Sequence, residues 1–168
     1  EAIQSLRDGG NVVISTETAS GKSMVYTIPA LERAIESDLR TLYIGPQNAL
    51  VNDQCDTLSE IFDDVSSADG GVFGSGLEVE KYTGQLDKES KREVRRKRPS
   101  VLLTNPDMIH YSLLPYSDDL WSWLFDSLDL VVVDEVHEYR GVFGSHVALI
   151  LRRLRRIAER NGSSPQFV

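Results

Sequence analysis

Residues Asn11 to Tyr26 read N-V-V-I-S-T-E-T-A-S-G-K-S-M-V-Y, and no other stretch narrows the possible folds as much. Val12, Val13 and Ile14 form a short apolar run that predicts a buried parallel strand. The chain then passes through small and polar residues into Gly21-Lys22-Ser23, and a helical pattern continues to about Ile35. Strand, G-K-S turn and helix together make the layout of a phosphate-binding loop. In such a loop the backbone N–H groups point inward at an anion, and the helix N-terminus adds about half a positive charge. On this reading Thr18, Ala19, Ser20 and Gly21 cradle phosphates, Lys22 reaches the β/γ-phosphates and the Ser23 hydroxyl ligates Mg²⁺. Thr16, followed by Glu17, stands where such loops usually carry Gly or Ala, so the G-K-S alone does not decide the matter.

A second feature far downstream does. Leu128 to Val133, L-D-L-V-V-V, is another apolar strand, and it runs directly into Asp134-Glu135-Val136-His137. Open α/β sheets place their ligand chemistry at the carboxyl ends of such strands. Asp134 is placed to hold Mg²⁺, directly or through water, and Glu135 to polarise an attacking water. Helix capping would account for Asp134 by itself, but not for a second acid in a chain that already carries G-K-S.

The 168 residues suit one domain with a single substantial core. Cys55 is the only cysteine, which excludes an internal disulfide and a cysteine metal cluster; it lies in a helical pattern and reads as a small buried hydrophobe. No apolar run approaches the roughly 20 residues of a membrane span, so no membrane partner is expected and the compartment reads as cytoplasmic. A net charge of −8 argues against a surface that grips nucleic acid all round, yet leaves room for a local basic face. Glu1 begins inside an amphipathic helix and Val168 ends an apolar start, so residues 1–168 are expected to be a fragment of a longer chain.

Strand and helix patterns alternate between those ends. Strands are expected at Thr41–Ile44, Glu78–Tyr82, Val101–Thr104 and Leu128–Val133. Helices are expected at Ala49–Phe62, Lys88–Lys97, Pro106–Leu114 and Phe143–Arg160, with an exposed loop over Ser66–Gly76. Trp121, Trp123, Leu124 and Phe125 read as the seal of a core edge. The fold class is therefore α/β, a mainly parallel sheet with helices on both faces.

Asp134-Glu135-Val136-His137 is a D-E-x-H box, and with it the chain resembles the first RecA-like, P-loop NTPase domain of superfamily 2 DEAD/DEAH-box helicases. Gly45-Pro46-Gln47-Asn48-Ala49-Leu50 is similar to motif Ia, with Gln47 and Asn48 where Thr and a basic residue usually stand. Tyr82-Thr83-Gly84 resembles the glycine turn that touches a nucleic-acid backbone, and Thr104-Asn105-Pro106-Asp107 resembles motif Ib. The run E-Y-R-G-V-F-G-S-H-V that follows the box looks like that of the YprA/MrfA-like DNA helicases.

The resemblance implies a motor domain that uses ATP and Mg²⁺, with Lys22 and Glu135 catalytic, Ser23 and Asp134 on the metal, and His137 coupling the nucleotide site to the rest of the motor. It implies single-stranded or partly duplex DNA held by Gly45, Pro46, Gln47, Thr83, Gly84, Thr104 and Asn105. It also implies a second RecA-like domain carrying an arginine finger, so that residues 1–168 alone would be nearly inactive. An RNA helicase, a P-loop kinase and a degenerate binding module are the alternatives. Sheet order separates the kinase: in helicase-like domains a strand, here the one ending at Val168, inserts between those of Val12–Ile14 and Val131–Val133. Seven cations between Lys88 and Arg98 are either a nucleic-acid patch or a solvated helix paired with Glu89 and Glu93.

Overall fold

The computed structural model describes residues 1–15, 21–68 and 77–168. Its strands are β1 (Arg40–Ile44), β2 (Val79–Lys81), β3 (Val101–Thr104), β4 (Leu128–Val133) and β5 (Gln166–Phe167). They pair in the order β2-β3-β1-β4-β5, and every pairing is parallel. The helices are α1 (Ala2–Arg7), α2 (Lys22–Ser37), α3 (Asn48–Ala68), α4 (Lys88–Lys97), α5 (Pro106–Met108), α6 (Ser122–Phe125) and α7 (Gly141–Arg160). Among the described residues, no helix is long and apolar enough to cross a membrane.

β1, β3 and β4 are apolar almost without interruption because helices cover them on both sides. On one face Leu42, Ile44, Leu102 and Val131 pack with Ile150 and Leu154 of α7 and with Trp121, Leu124 and Phe125. On the other, Tyr43, Leu103, Leu130 and Val132 pack with Tyr26 and Ala30 of α2 and with Val51, Cys55, Leu58 and Phe62 of α3. Arg40 pairs with Leu128 but Thr41 pairs with Leu130, so Asp129 is an extra residue bulged out of the ladder. The bulge lets Leu128 and Val131 point into the same core.

β3, β4 and α4 have the expected bounds, other expected elements have shifted ends, and two differ in kind. The helix expected over Pro106–Leu114 is α-helical only to Met108; Ile109–Leu113 widen into a π-turn closed by Leu114 N–H donating to Ile109 C=O at 3.0 Å. That widening brings Leu114, five residues on, into the core with Ile109 and Leu113. The buried strand expected at Val12–Ile14 is instead an extended segment at the sheet's edge. Its one ladder contact is Val12 N–H donating to Phe167 C=O at 2.9 Å. Val13, with nothing packed outside it, is 94% exposed. The order is nonetheless the helicase-like one, because β5 lies between this segment and β4. Of the loop expected over Ser66–Gly76, residues 66–68 end α3, and 69–76 lie outside the described residues.

The edge is held by side chains that the strand periodicity does not announce. Arg33 of α2, only 12% exposed, pairs with Asp129 at the bulge and donates to Gln166 Oε1 on β5. Gln166 donates in turn to Gly10 C=O at 2.6 Å, and Asn11 Oδ1 accepts from Phe167 N–H at 2.8 Å. One guanidinium thus ties α2 to two strands. Replacing Arg33 with Ala strands Asp129 beside the sheet and removes two charge-assisted hydrogen bonds, so urea unfolding should show a loss of about 2 kcal/mol.

Candidate functional site

A cleft of about 400 Å³ opens where the strands end, lined by Val12, Ile14, Lys22, Tyr26 and the run from Val132 to His137. Lys22 starts α2 and Asp134 follows β4, so residues far apart in sequence share one wall because the strands run parallel. Gly21 caps α2 with φ of 73°, a left-handed conformation that a side chain would strain. Ser23 lies in the first turn of α2 and is not among the residues lining the cleft; its carbonyl accepts the Thr27 hydroxyl at 2.8 Å. Thr16, Glu17, Thr18, Ala19 and Ser20 lie outside the described residues.

Both carboxylate oxygens of Asp134 are engaged from within the chain. The Tyr43 phenol donates to Oδ2, and Glu135 N–H donates to Oδ1 at 2.8 Å. Asp134 N–H continues the ladder by donating to Ile44 C=O at 3.0 Å. Glu135 sits at φ 50°, ψ 45°, a left-handed backbone that costs a non-glycine residue about 1–2 kcal/mol. The turn turns the Glu135 carboxylate toward His137, with Oε2 3.1 Å from Nδ1, while His137 Nε2 lies 3.3 Å from Glu138 Oε1.

Three phenols lie near this carboxylate, and none of them belongs to a site motif of the sequence. Burial above all, and then the Asp134 charge, push the hydroxyls of Tyr26 and Tyr139 well above the ordinary tyrosine range. For Tyr43 burial is again the first cause, followed by its hydrogen bond to Asp134. All three stay neutral at any physiological pH. The sequence signal for Tyr43 was a lone aromatic in the otherwise aliphatic core of β1.

The segments expected to touch nucleic acid meet at the same carboxyl-end rim. Gly45 N–H donates to Thr104 C=O at 3.0 Å, and Asn105 donates to Asn48 Oδ1 at 2.8 Å. Three of these residues have side chains engaged or buried within the domain. Thr83 and Thr104 are buried, and the Thr104 hydroxyl donates to Tyr82 C=O at 2.6 Å. Asn105 also works locally, accepting Met108 N–H at 2.9 Å as the cap of α5. Gly45 is buried and Pro46 half-buried, which leaves Gln47 and Gly84 as the exposed points of this rim. Much of the basic stretch is spent within the domain. Arg96 pairs with Glu93, Lys97 with Glu80, Arg95 donates to the Tyr82 hydroxyl, and Lys91 lies over the Tyr82 ring.

The sheet order and the meeting of G-K-S and D-E-x-H at one cleft define the class, a helicase-type RecA-like α/β domain. The chain matches DEAD/DEAH box helicase over residues 1–167 and belongs to that family. It is 39% identical to the uncharacterised ATP-dependent helicase YprA of Bacillus subtilis (strain 168), over 99% of this chain and 21% of that protein. It is 38% identical to the ATP-dependent helicase hrq1 of Schizosaccharomyces pombe, over 98% of this chain and 15% of that protein. The crystal structure of the DUF1998 helicase MrfA bound to DNA and AMPPNP superposes with a TM-score of 0.89 at 39% identity, covering 99% of this chain and 22% of that one. Mycobacterium smegmatis Lhr, solved with ssDNA and AMP-PNP, shares the fold at a TM-score of 0.80 and 24% identity, over 99% of this chain and 22% of that one. The chain therefore spans about a fifth of the relatives it matches.

Of the two glycines after the box, Gly141 takes a positive φ of 59°, and Gly144 has a packing reason. A Cβ on Gly144 would lie 2.4 Å from the Tyr139 carbonyl oxygen, a backbone atom that cannot swing away. Gly144→Ala should therefore cost about 2 kcal/mol of stability and loosen the turn beneath Glu135, seen as a lower thermal midpoint with weaker nucleotide binding.

Proposed function

We propose that this domain is the ATP-binding motor of a DNA helicase or translocase, working with a second RecA-like domain. The observation that carries the reading is the shared cleft. Lys22 at the start of α2 lines the same cleft as Asp134 and Glu135, which follow β4, while the rim beside it gathers the segments after β1, β2 and β3. MrfA, of similar sequence and fold, was solved with DNA and AMPPNP together, which supports ATP and DNA as the two ligands.

Each residue's task follows from its chemistry. Gly21 and the residues before it wrap the phosphates with backbone amides, and Lys22 meets the charge on the β/γ-phosphates. Glu135 orients the attacking water and accepts its proton, and His137 holds that carboxylate from behind. Among the described residues, no three acidic, histidine or cysteine side chains converge as a metal cage. That fits Mg²⁺, which keeps several waters and takes one or two protein oxygens plus substrate phosphates. Asp134 and the Ser23 hydroxyl would hold it, and when bound it neutralises charge building on the phosphates. DNA would lie along the rim on the backbone of Gly45, Pro46, Gln47, Gly84 and Asn105, contacts that follow a strand without reading its sequence. A cytoplasmic location suits such a motor.

Two variants of the full-length protein separate the roles. Lys22→Ala should weaken ATP binding, whereas Glu135→Gln should keep it nearly intact and slow turnover, read by nucleotide titration beside steady-state ATPase assays. An equal loss of ATP affinity in both contradicts the assignment.

The second domain has its own test. An arginine finger contributes about 10³–10⁵ in rate in nucleotide hydrolases, and here it is assigned to that domain. Residues 1–168 alone should bind nucleotide weakly and turn over little, with or without single-stranded DNA. Robust DNA-stimulated turnover by the monomeric fragment would remove the two-domain mechanism.

A further inference from the structure

The roles above leave the phenols around Asp134 unused, and Tyr43, behind the cleft wall, is the one bonded to that carboxylate. Tyr43 is 0% exposed, in a strand whose other buried side chains are Thr41, Leu42 and Ile44. Its ring packs at 5.8 Å from that of Tyr26, and Gly45 lies close enough that a Cβ there would sit 3.4 Å from Tyr43 Cε1. A hydroxyl buried this deeply is costly without a partner, and the partner it has is Asp134 Oδ2.

The consequence concerns the carboxylate more than the phenol. Asp134 Oδ1 is tied to Glu135 N–H at 2.8 Å and Oδ2 to Tyr43, so rotating the carboxylate breaks both bonds. Each oxygen has one acceptor position filled and one left over. The plane in which Asp134 meets a ligand is therefore set by β1, a strand that carries no other group of the nucleotide site. Mg²⁺ demands near-ideal octahedral geometry, whereas Ca²⁺ accepts loose and variable coordination.

We propose that Tyr43 is a positioning residue that orients the Asp134 carboxylate for the nucleotide-bound divalent cation and favours Mg²⁺ over a less demanding ion. This rests on the reading of Asp134 as the metal-holding carboxylate. Tyr43 touches neither nucleotide nor metal, and acts only through Asp134. Removing its hydroxyl leaves the ring and its packing in place but frees the carboxylate to rotate.

The test is a binding measurement on the full-length protein. Affinity for a fluorescent ATP analogue is titrated against Mg²⁺, against Ca²⁺ and in EDTA, with thermal midpoints in parallel. Tyr43→Phe should raise the Mg²⁺ concentration needed for half-maximal binding about fivefold or more, on the scale of lost outer-shell partners at metal sites. The Ca²⁺ curve and the affinity in EDTA should move far less. Tyr26→Phe removes a neighbouring phenol bonded to Gln54, not Asp134, and should leave the Mg²⁺ curve in place. A purely structural Tyr43 would lower the thermal midpoint and spare the Mg²⁺ dependence, which overturns the proposal. So would an equal shift under all three conditions. Asp134→Asn tells the two readings apart. If it shifts the Mg²⁺ curve while Tyr43→Phe does not, the positioning role alone is lost; if it does not shift the curve, the metal-holding role goes too. Should Tyr43→Phe be unstable, the same titrations are run cold in sucrose, which favours the folded state without supplying a hydrogen bond.

Discussion

β4 is paired on both edges, with β1 on one side and β5 on the other, and the cleft depends on that arrangement. A parallel strand held on both sides has no freedom to slip, so the residue that follows it emerges at a defined point. Asp134 is that residue, and its N–H bond to Ile44 C=O is the ladder's last step. Beyond it the backbone turns through the left-handed Glu135 into the 3-10 turn Val136–Glu138, and α7 starts at Gly141. Gly144 is needed because this turn leaves the Tyr139 carbonyl hard against α7. The D-E-x-H residues and the glycines after them are thus one structural unit.

Strain and polarity are concentrated there. A left-handed glutamate, a carboxylate with both oxygens engaged and three phenols with raised pKa values lie within one small region. Unfavourable backbone geometry persists where its surroundings over-determine it, and such places are commonly functional. Here the surroundings are the Glu135 N–H bond to Asp134 and the His137 contact with the Glu135 side chain. Asp134 is held by two strands and a turn.

Charge is managed differently at the rim. The chain carries −8, and four of the cations between Lys88 and Arg98 are occupied by Glu80, Glu93 and Tyr82. A nucleic-acid strand would meet backbone and small residues there, stitched together by Gly45 to Thr104 and Asn105 to Asn48.

Strand type, strand placement and the two nucleotide motifs could be read from the residues alone, because apolar runs and their bounding turns are local patterns. β3 and β4 fall where the periodicity put them, as does α4. The burial of Trp121, Leu124 and Phe125 was equally legible. Other features depend on neighbours that a sequence does not display. Val12–Ile14 has the composition of a buried strand, but it lies at an edge where nothing covers Val13. Thr104 matches a nucleic-acid motif, yet its hydroxyl is claimed by the Tyr82 carbonyl on the adjoining strand. No site motif takes in Tyr43, and its phenol meets Asp134 only because β1 and β4 lie side by side. The G-K-S and D-E-x-H motifs were written in spacing along the chain. What orients them was decided by contacts between strands, since a hydrogen bond across a sheet joins residues that no local pattern connects.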